Sequence, residues 1–204
     1  RLVYVFGTGH SHTLAEELFY RAGGLARVVP MLHPPLMLHE SASTSTQAER
    51  DPDVVGELLK QYPMTGGDVL VVASHSGRNA CPVELAMLAK ERSVRTIAVL
   101  NSEHSAKWAS RHPSGKRLGD VVDLVIDNCG VEGDACVPLP GSGLFVGATS
   151  TVTGCLIMQM IACRATEMLN ASGRQPELYQ SSNANHDERN AALIAEHKQT
   201  NPHL

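Results

Sequence analysis

The sequence predicts an α/β fold, a single doubly wound and mainly parallel sheet flanked by helices, with residues 1–204 forming one domain. Three observations predict it. Apolar runs of strand length alternate with helical patterns, the order of crossover units in a parallel sheet. Two of these runs, Leu2–Phe6 and Val69–Ala73, empty straight into short turns rich in Gly and hydroxyls. A chain of 204 residues, 43% hydrophobic and 19% charged, is large enough for a three-layer core and ordinary in composition.

Residues 2–6 read as a buried strand, and a helix over 11–22 opens after Gly7-Thr8-Gly9-His10-Ser11. A second strand over 26–32 falls near a sheet edge, because Pro30 has no N–H for a ladder. Residues 33–52 carry Pro34, Pro35 and a Ser/Thr tract from Ser41 to Thr46, the composition of a long polar loop. A helix over 53–62 follows, capped by Asp51 or Asp53, and Gly66-Gly67-Asp68 punctuates the chain before the strand at 69–73. Next come a helix over 80–92, a strand over 94–100, a polar connection over 101–119 and a strand over 121–126. Residues 130–147 read as a Gly- and Pro-rich loop, 148–171 as a long apolar helix, and 186–199 as a final helix. The chain opens directly on its first strand, so a helix belonging before it is expected to lie outside these residues.

Composition narrows the function. A net charge of −4 disfavours nucleic acid, whose affinity comes from clustered Lys and Arg. An aromatic content of 4% gives no stacking surface for single strands. No uninterrupted apolar run approaches the ~18 residues that span a bilayer, and no signal peptide is visible, so a cytoplasmic protein without a membrane partner is expected. The long helix is interrupted by Gln159, Arg164 and Glu167, and is expected to pack on the sheet or on its copy in a second subunit. Cys81, Cys129, Cys136, Cys155 and Cys163 are odd in number and lack C-x-x-C spacing, which argues against disulfides and a thiolate zinc site.

The chemistry concentrates in the two turns. Ser74-His75-Ser76-Gly77-Arg78-Asn79 joins a strand to a helix and offers hydroxyls, an amide and a Gly that permits close backbone approach. The positive end of the following helix favours an anion there, and Arg78 adds a clamp or a surface ion pair. Gly7-Thr8-Gly9-His10-Ser11 resembles the start of a dinucleotide fingerprint but has His12 where the third Gly belongs. No acidic residue closes the second strand to hold a ribose, so no nucleotide cofactor is expected. Two anion-binding turns together indicate a phosphorylated small molecule.

The pair Gly7-x-Gly9-x-Ser11 and Ser74-x-Ser76-Gly77-x-Asn79 resembles the sugar isomerase (SIS) domain, whose members include phosphoheptose isomerase and N-acetylmuramic acid 6-phosphate etherase. The resemblance covers essentially the whole chain and implies a flavodoxin- or Rossmann-like three-layer sandwich. Tyr20-Arg21-Ala22-Gly23-Gly24-Leu25 and Ser76-Gly77-Arg78-Asn79-x-x-Pro82-Val83-Glu84 are closer to a subgroup of uncertain activity, one branch of which is associated with N-acetylglucosamine 6-phosphate dehydration. The resemblance implies that Ser74, Ser76 and Asn79 hold a sugar phosphate with the backbone of His75 and Gly77. Ser11 would line the sugar side, Ser150 and Thr151 at the start of the long helix would lie near the ligand, and Gly9, His10 and Arg78 complete the expected substrate- and phosphate-binding set. It further implies a homodimer with sites at the interface.

Isomerisation or elimination next to a carbonyl needs a group to remove and return a proton. The resemblance implies Glu49 as the leading candidate, since it follows the polar loop where phosphoheptose isomerases carry a catalytic Glu before the second turn, with Glu40 as fallback. It implies His186 as the second, at the entrance of the last helix, where SIS enzymes send a C-terminal His or Lys into a neighbouring subunit's site. Ten histidines, among them His10, His12, His33, His39 and His75, raise a zinc site, but no H-x-x-x-H or H-E-x-x-H is present and no metal is assigned. The expected function is acid/base isomerisation or dehydration of a phosphorylated sugar or aminosugar. The alternative is a non-catalytic sugar-phosphate sensor, with a nucleotide-dependent oxidoreductase behind both.

Overall fold

In the computed structural model, which describes residues 1–204, five parallel strands form one sheet with helices on both faces. The strands are β1 (Val3–Gly7), β2 (Val28–Met31), β3 (Val69–Ala73), β4 (Arg95–Leu100) and β5 (Leu124–Asp127), in the order β2-β1-β3-β4-β5. β2 is an edge strand, as Pro30 requires, and Pro30 sits beside Val5 in the β1 register.

β1 to β4 are largely apolar on both sides because both sides are covered, whereas β5 at the far edge is mostly exposed. Tyr4, Phe6, Leu70, Val72, Ala98 and Leu100 point into a core closed by α3 (Val55–Gln61) and α4 (Ala80–Glu91). Their neighbours Val5, Val71, Ala73 and Val99 point the other way, onto α1 (Thr13–Leu18) and α7 (Ser150–Ala171). α1 and α7 approach closely at Gly154, where an added Cβ would meet the Leu14 side chain at 2.7 Å. The last helix, α8 (Asp187–His197), lies near the β2 edge, where the His197 ring bonds Glu177 and Asn201 donates to the Val28 carbonyl.

Several segments depart from the sequence reading. The first helix is shorter than 11–22: a 3-10 turn over Gly9–His12 precedes it, and Tyr20 adopts a positive φ just beyond its end. The polar stretch 33–52 contains α2 (Ala42–Ala48), N-capped by Ser41. The connection 101–119 contains α5 (Ser102–Lys107), capped by Asn101, and α6 (Leu118–Val121), which displaces the expected start of β5 from 121 to Leu124. The 130–147 loop is an antiparallel hairpin, β6 (Ala135–Pro138) and β7 (Phe145–Ala148). At 22 residues, α7 is long and apolar enough by length and composition alone to cross a bilayer, contrary to the sequence expectation. Here one face of it packs on the sheet and α1 through Met158 and Ala162.

Candidate functional site

The carboxyl ends of β1, β3, β4 and β5 gather the two turns, the position where open parallel sheets bind ligands. At the end of β1, Gly7 lets the following turn fold back tightly: a Cβ there would lie 2.3 Å from the Ser11 carbonyl oxygen. At the end of β3, Gly77 takes a φ of +57°. Its N–H bonds the Ser74 hydroxyl and carbonyl, closing the turn. The N–H groups of His75, Ser76, Arg78 and Asn79 find no acceptor within the protein. Unpaired N–H groups around a left-handed Gly, just ahead of the α4 N-terminus, are the kind of donors that can receive an anion.

Ser11, Ser74, His75, Ser150 and Thr151 line one concavity with Leu14, Ala73, Val99 and Asn128. Its enclosed part has a volume of about 10 Å³, room for one water-sized group, and beyond it the mouth is open. The His75 ring is fixed here. Its Nε2 donates to the Val131 carbonyl at 3.0 Å, its Nδ1 accepts from Asn128 Nδ2 at 3.1 Å, and it stacks on His104. Burial, followed by the proximity of His75 and Arg78, pushes His104 below its usual value. At the start of α7 the Asp134 carboxylate accepts from the N–H groups of Thr149 and Ser150 and from the Ser150 hydroxyl. Burial works against ionisation of Asp134, but those hydrogen bonds outweigh it and hold the carboxyl below the usual range.

Glu49 bridges the two turns. One carboxylate oxygen accepts from the Thr8 hydroxyl at 2.8 Å and the other from Asn79 Nδ2 at 2.7 Å. Asn79 Oδ1 in turn accepts from an Arg111 guanidinium nitrogen at 2.7 Å.

Residues 1–101 match the SIS domain model. A UPF0309 protein of Listeria innocua is 43% identical over 204 residues, covering 100% of this chain and 83% of that protein. The chain belongs to the UPF0309 family of SIS-domain proteins. A UPF0309 protein of Thermoanaerobacter pseudethanolicus is 41% identical, over 98% of this chain and 83% of its own length. Among solved structures, the c3406 protein of E. coli CFT073, solved in complex with a small-molecule ligand, shares the fold at a TM-score of 0.50 and 18% identity, covering 83% of this chain and 71% of that one.

Of the residues that the sequence marks in this SIS domain, Ser11, Ser74, His75, Ser150 and Thr151 meet at the concavity. Ser76 is half-buried in the turn with its hydroxyl unbonded, and Gly9 holds a φ of +54° where the first turn reverses. Others face elsewhere. Asn79 points its amide at Glu49 and does not line the concavity; Arg78 donates to the Ala109 carbonyl; His10 is exposed. His186 is exposed at the head of α8, without a side-chain partner, so one subunit does not bring it to the site. Glu40 is exposed beside His39.

Thr8, Arg111, Asn128 and Asp134 belong to the site and escape the sequence reading. Thr8 lies inside the first turn motif and Asn128 directly follows β5, so both carry a signal in the sequence. Arg111 and Asp134 come from connections whose conformation the sequence pattern does not reveal. Glu177, Glu196 and His197 lie close enough together to share a metal ion, but Glu177 already accepts from Arg27 and His197. Arg27 immediately precedes β2, so this group sits at the opposite end of the sheet from the two turns.

Proposed function

We propose that this protein binds a phosphorylated sugar or aminosugar and transfers a proton at the carbon beside the carbonyl, giving isomerisation or loss of water. The observation that carries it is the set of unpaired N–H groups at residues 75, 76, 78 and 79 beside a concavity that both turns and the α7 start share. A phosphate oxygen enters the enclosed part, and Ser74, Ser76 and the free N–H groups hold the dianion. The sugar lies across the open mouth, toward Ser11 and Thr151. The solution of c3406 as a ligand complex is in keeping with a small-molecule partner. Glu49 serves as base and proton shuttle, a role that requires direct reach to the reacting carbon.

The mouth needs a far wall, and a second copy supplies it. The exposed side of α7 is apolar, which suits a homodimer with sites at the interface, and His186 of the partner subunit then assists ring opening or protonates the leaving oxygen. The protein works in the cytoplasm and needs no cofactor or zinc.

One observation favours a second reading. Both Glu49 oxygens already hold a protein donor, which suits a brace between two turns in a non-catalytic sugar-phosphate sensor. Glu49→Gln separates the two. The protein is incubated with glucosamine 6-phosphate, N-acetylglucosamine 6-phosphate and sedoheptulose 7-phosphate, with mass-spectrometric readout and calorimetry. Catalysis predicts turnover of one of them, lower by about 100-fold or more in Glu49→Gln at similar affinity. Binding without turnover establishes the sensor, and failure of all three to bind removes both readings.

A further inference from the structure

We propose that Arg50, Arg78 and Arg111 form a second anion subsite beside the phosphate turn, so that the ligand is a sugar phosphate bearing a further anionic group, a second phosphate or a carboxylate. This rests on the sugar-phosphate reading above and narrows its substrate class.

Arg111 bonds one hydrogen-bonded pair, Arg78 is tied to Arg111, and Arg50 adjoins the pair in the chain. Glu49 accepts from Asn79. Arg50 follows Glu49 in the chain, Arg78 precedes Asn79, and Arg111 donates to the Asn79 amide oxygen at 2.7 Å. None of the three makes a salt bridge; the arginines that do are Arg21, Arg27 and Arg164. The acidic groups at hand are committed elsewhere. Glu49 accepts from Thr8 and Asn79, Asp51 caps the next turn through the Asp53 N–H, and Glu84 pairs with His112. Burial, then the like charges of Arg78 and Arg50, push Arg111 below its usual value, so the cluster repels itself as it stands. An incoming anion relieves that repulsion.

Arg111 is also presented on a braced loop. The His112 ring beside it is buried and bonds Glu84 at 2.8 Å. The Arg111 N–H donates to the Arg78 carbonyl at 2.8 Å, and Arg78 Nε returns a bond to the Ala109 carbonyl at 2.9 Å. The Arg78 guanidinium lies over the Trp108 ring. Loop and phosphate turn are therefore tied together. Guanidinium nitrogens left free by these contacts match the two-oxygen geometry of carboxylate and phosphate alike. Arg78 is two residues past Ser76, so the second subsite adjoins the first.

The test is calorimetry with three ligands on one carbon frame: glucose 6-phosphate, glucose 1,6-bisphosphate and 6-phosphogluconate. Arg50→Gln is the variant, because Arg50 is exposed and makes no side-chain hydrogen bond that folding needs. At least one two-anion ligand is expected to bind tenfold or more tighter than the monophosphate. Arg50→Gln is expected to erase most of that ratio while shifting monophosphate affinity less than twofold. Which ligand gains the ratio identifies the second group as phosphate or carboxylate. If the monophosphate binds and neither two-anion ligand exceeds it, or Arg50→Gln weakens all three alike, this inference falls alone. If none of the three binds, the sugar-phosphate reading falls with it.

Discussion

Gly7 shows how much of the site depends on single backbone positions. Its missing Cβ leaves room for the Ser11 carbonyl, and the obstacle to Ala is backbone, which cannot rotate away. Gly7→Ala must therefore push the first turn off the sheet. It is expected to cost on the order of 3 kcal/mol in urea unfolding and to weaken ligand binding as Ser11 moves. A loss below about 1 kcal/mol would show that the turn yields easily. Ser11 and Ser74 were legible in the sequence because they lie in contiguous strand–turn–helix motifs, whose local geometry fixes where they face, whereas Ser150 was marked only by the family resemblance. Asn79 lies in the same motif, but the contact its side chain makes was not legible. Its partner Glu49 lies 30 positions earlier, and only the tertiary fold shows that the amide serves a carboxylate. Arg111 was not legible, since an arginine in a polar connection has no periodic or motif signal.

At the scale of elements, the parallel strands were plain because burial on both faces produces unbroken apolar runs. α2 was hidden by its Ser/Thr composition: it buries only Ser45, and its ends are held by Ser41 and by Glu49. The β6–β7 hairpin was hidden by Gly141, Gly143 and Gly147, which signal turns equally well in a loop. Its apolar residues Leu144, Phe145 and Val146 are all exposed, so no burial pattern marked the strands. α7 carries two apolar sides. Gly154, Met158 and Ala162 face inward, whereas Val152, Leu156 and Met160, each about 60–70% exposed, follow the opposite side at the same four-residue spacing. An exposed apolar stripe of that kind suits an interaction face. If it is the dimer seam, Leu156→Glu with Met160→Glu yields a monomer in sedimentation velocity at micromolar concentration, with far-UV circular dichroism unchanged. A wild-type chain that already sediments as a monomer would refute the seam.

For the molecule as a whole, the clasp between the sheet edge and the chain's far end is Tyr62. Its fully buried hydroxyl donates to the Leu32 carbonyl at 3.0 Å, accepts from the Leu32 N–H at 2.9 Å, and meets His203 Nε2 at 2.8 Å. Tyr62→Phe keeps the ring packing but strands those backbone groups, and is expected to cost about 1–3 kcal/mol at pH 7. The same burial pushes the Tyr62 pKa up to about 12, against a weaker lowering by the Leu32 bond. The folded state then favours the neutral phenol. That contribution is whole below pH 10, where the unfolded tyrosine titrates, and is lost as the pH rises toward about 12. It amounts to on the order of 2 kcal/mol. Tyr4 and Tyr179 are also raised, chiefly by burial, so the wild-type decline is steeper than Tyr62 alone would make it. Tyr62→Phe should therefore be less stable at neutral pH yet lose less stability between pH 10 and 12, as measured by urea midpoints across that range. Parallel declines in the two proteins would mean that the hydroxyl is solvated in the native state and that the clasp is not closed.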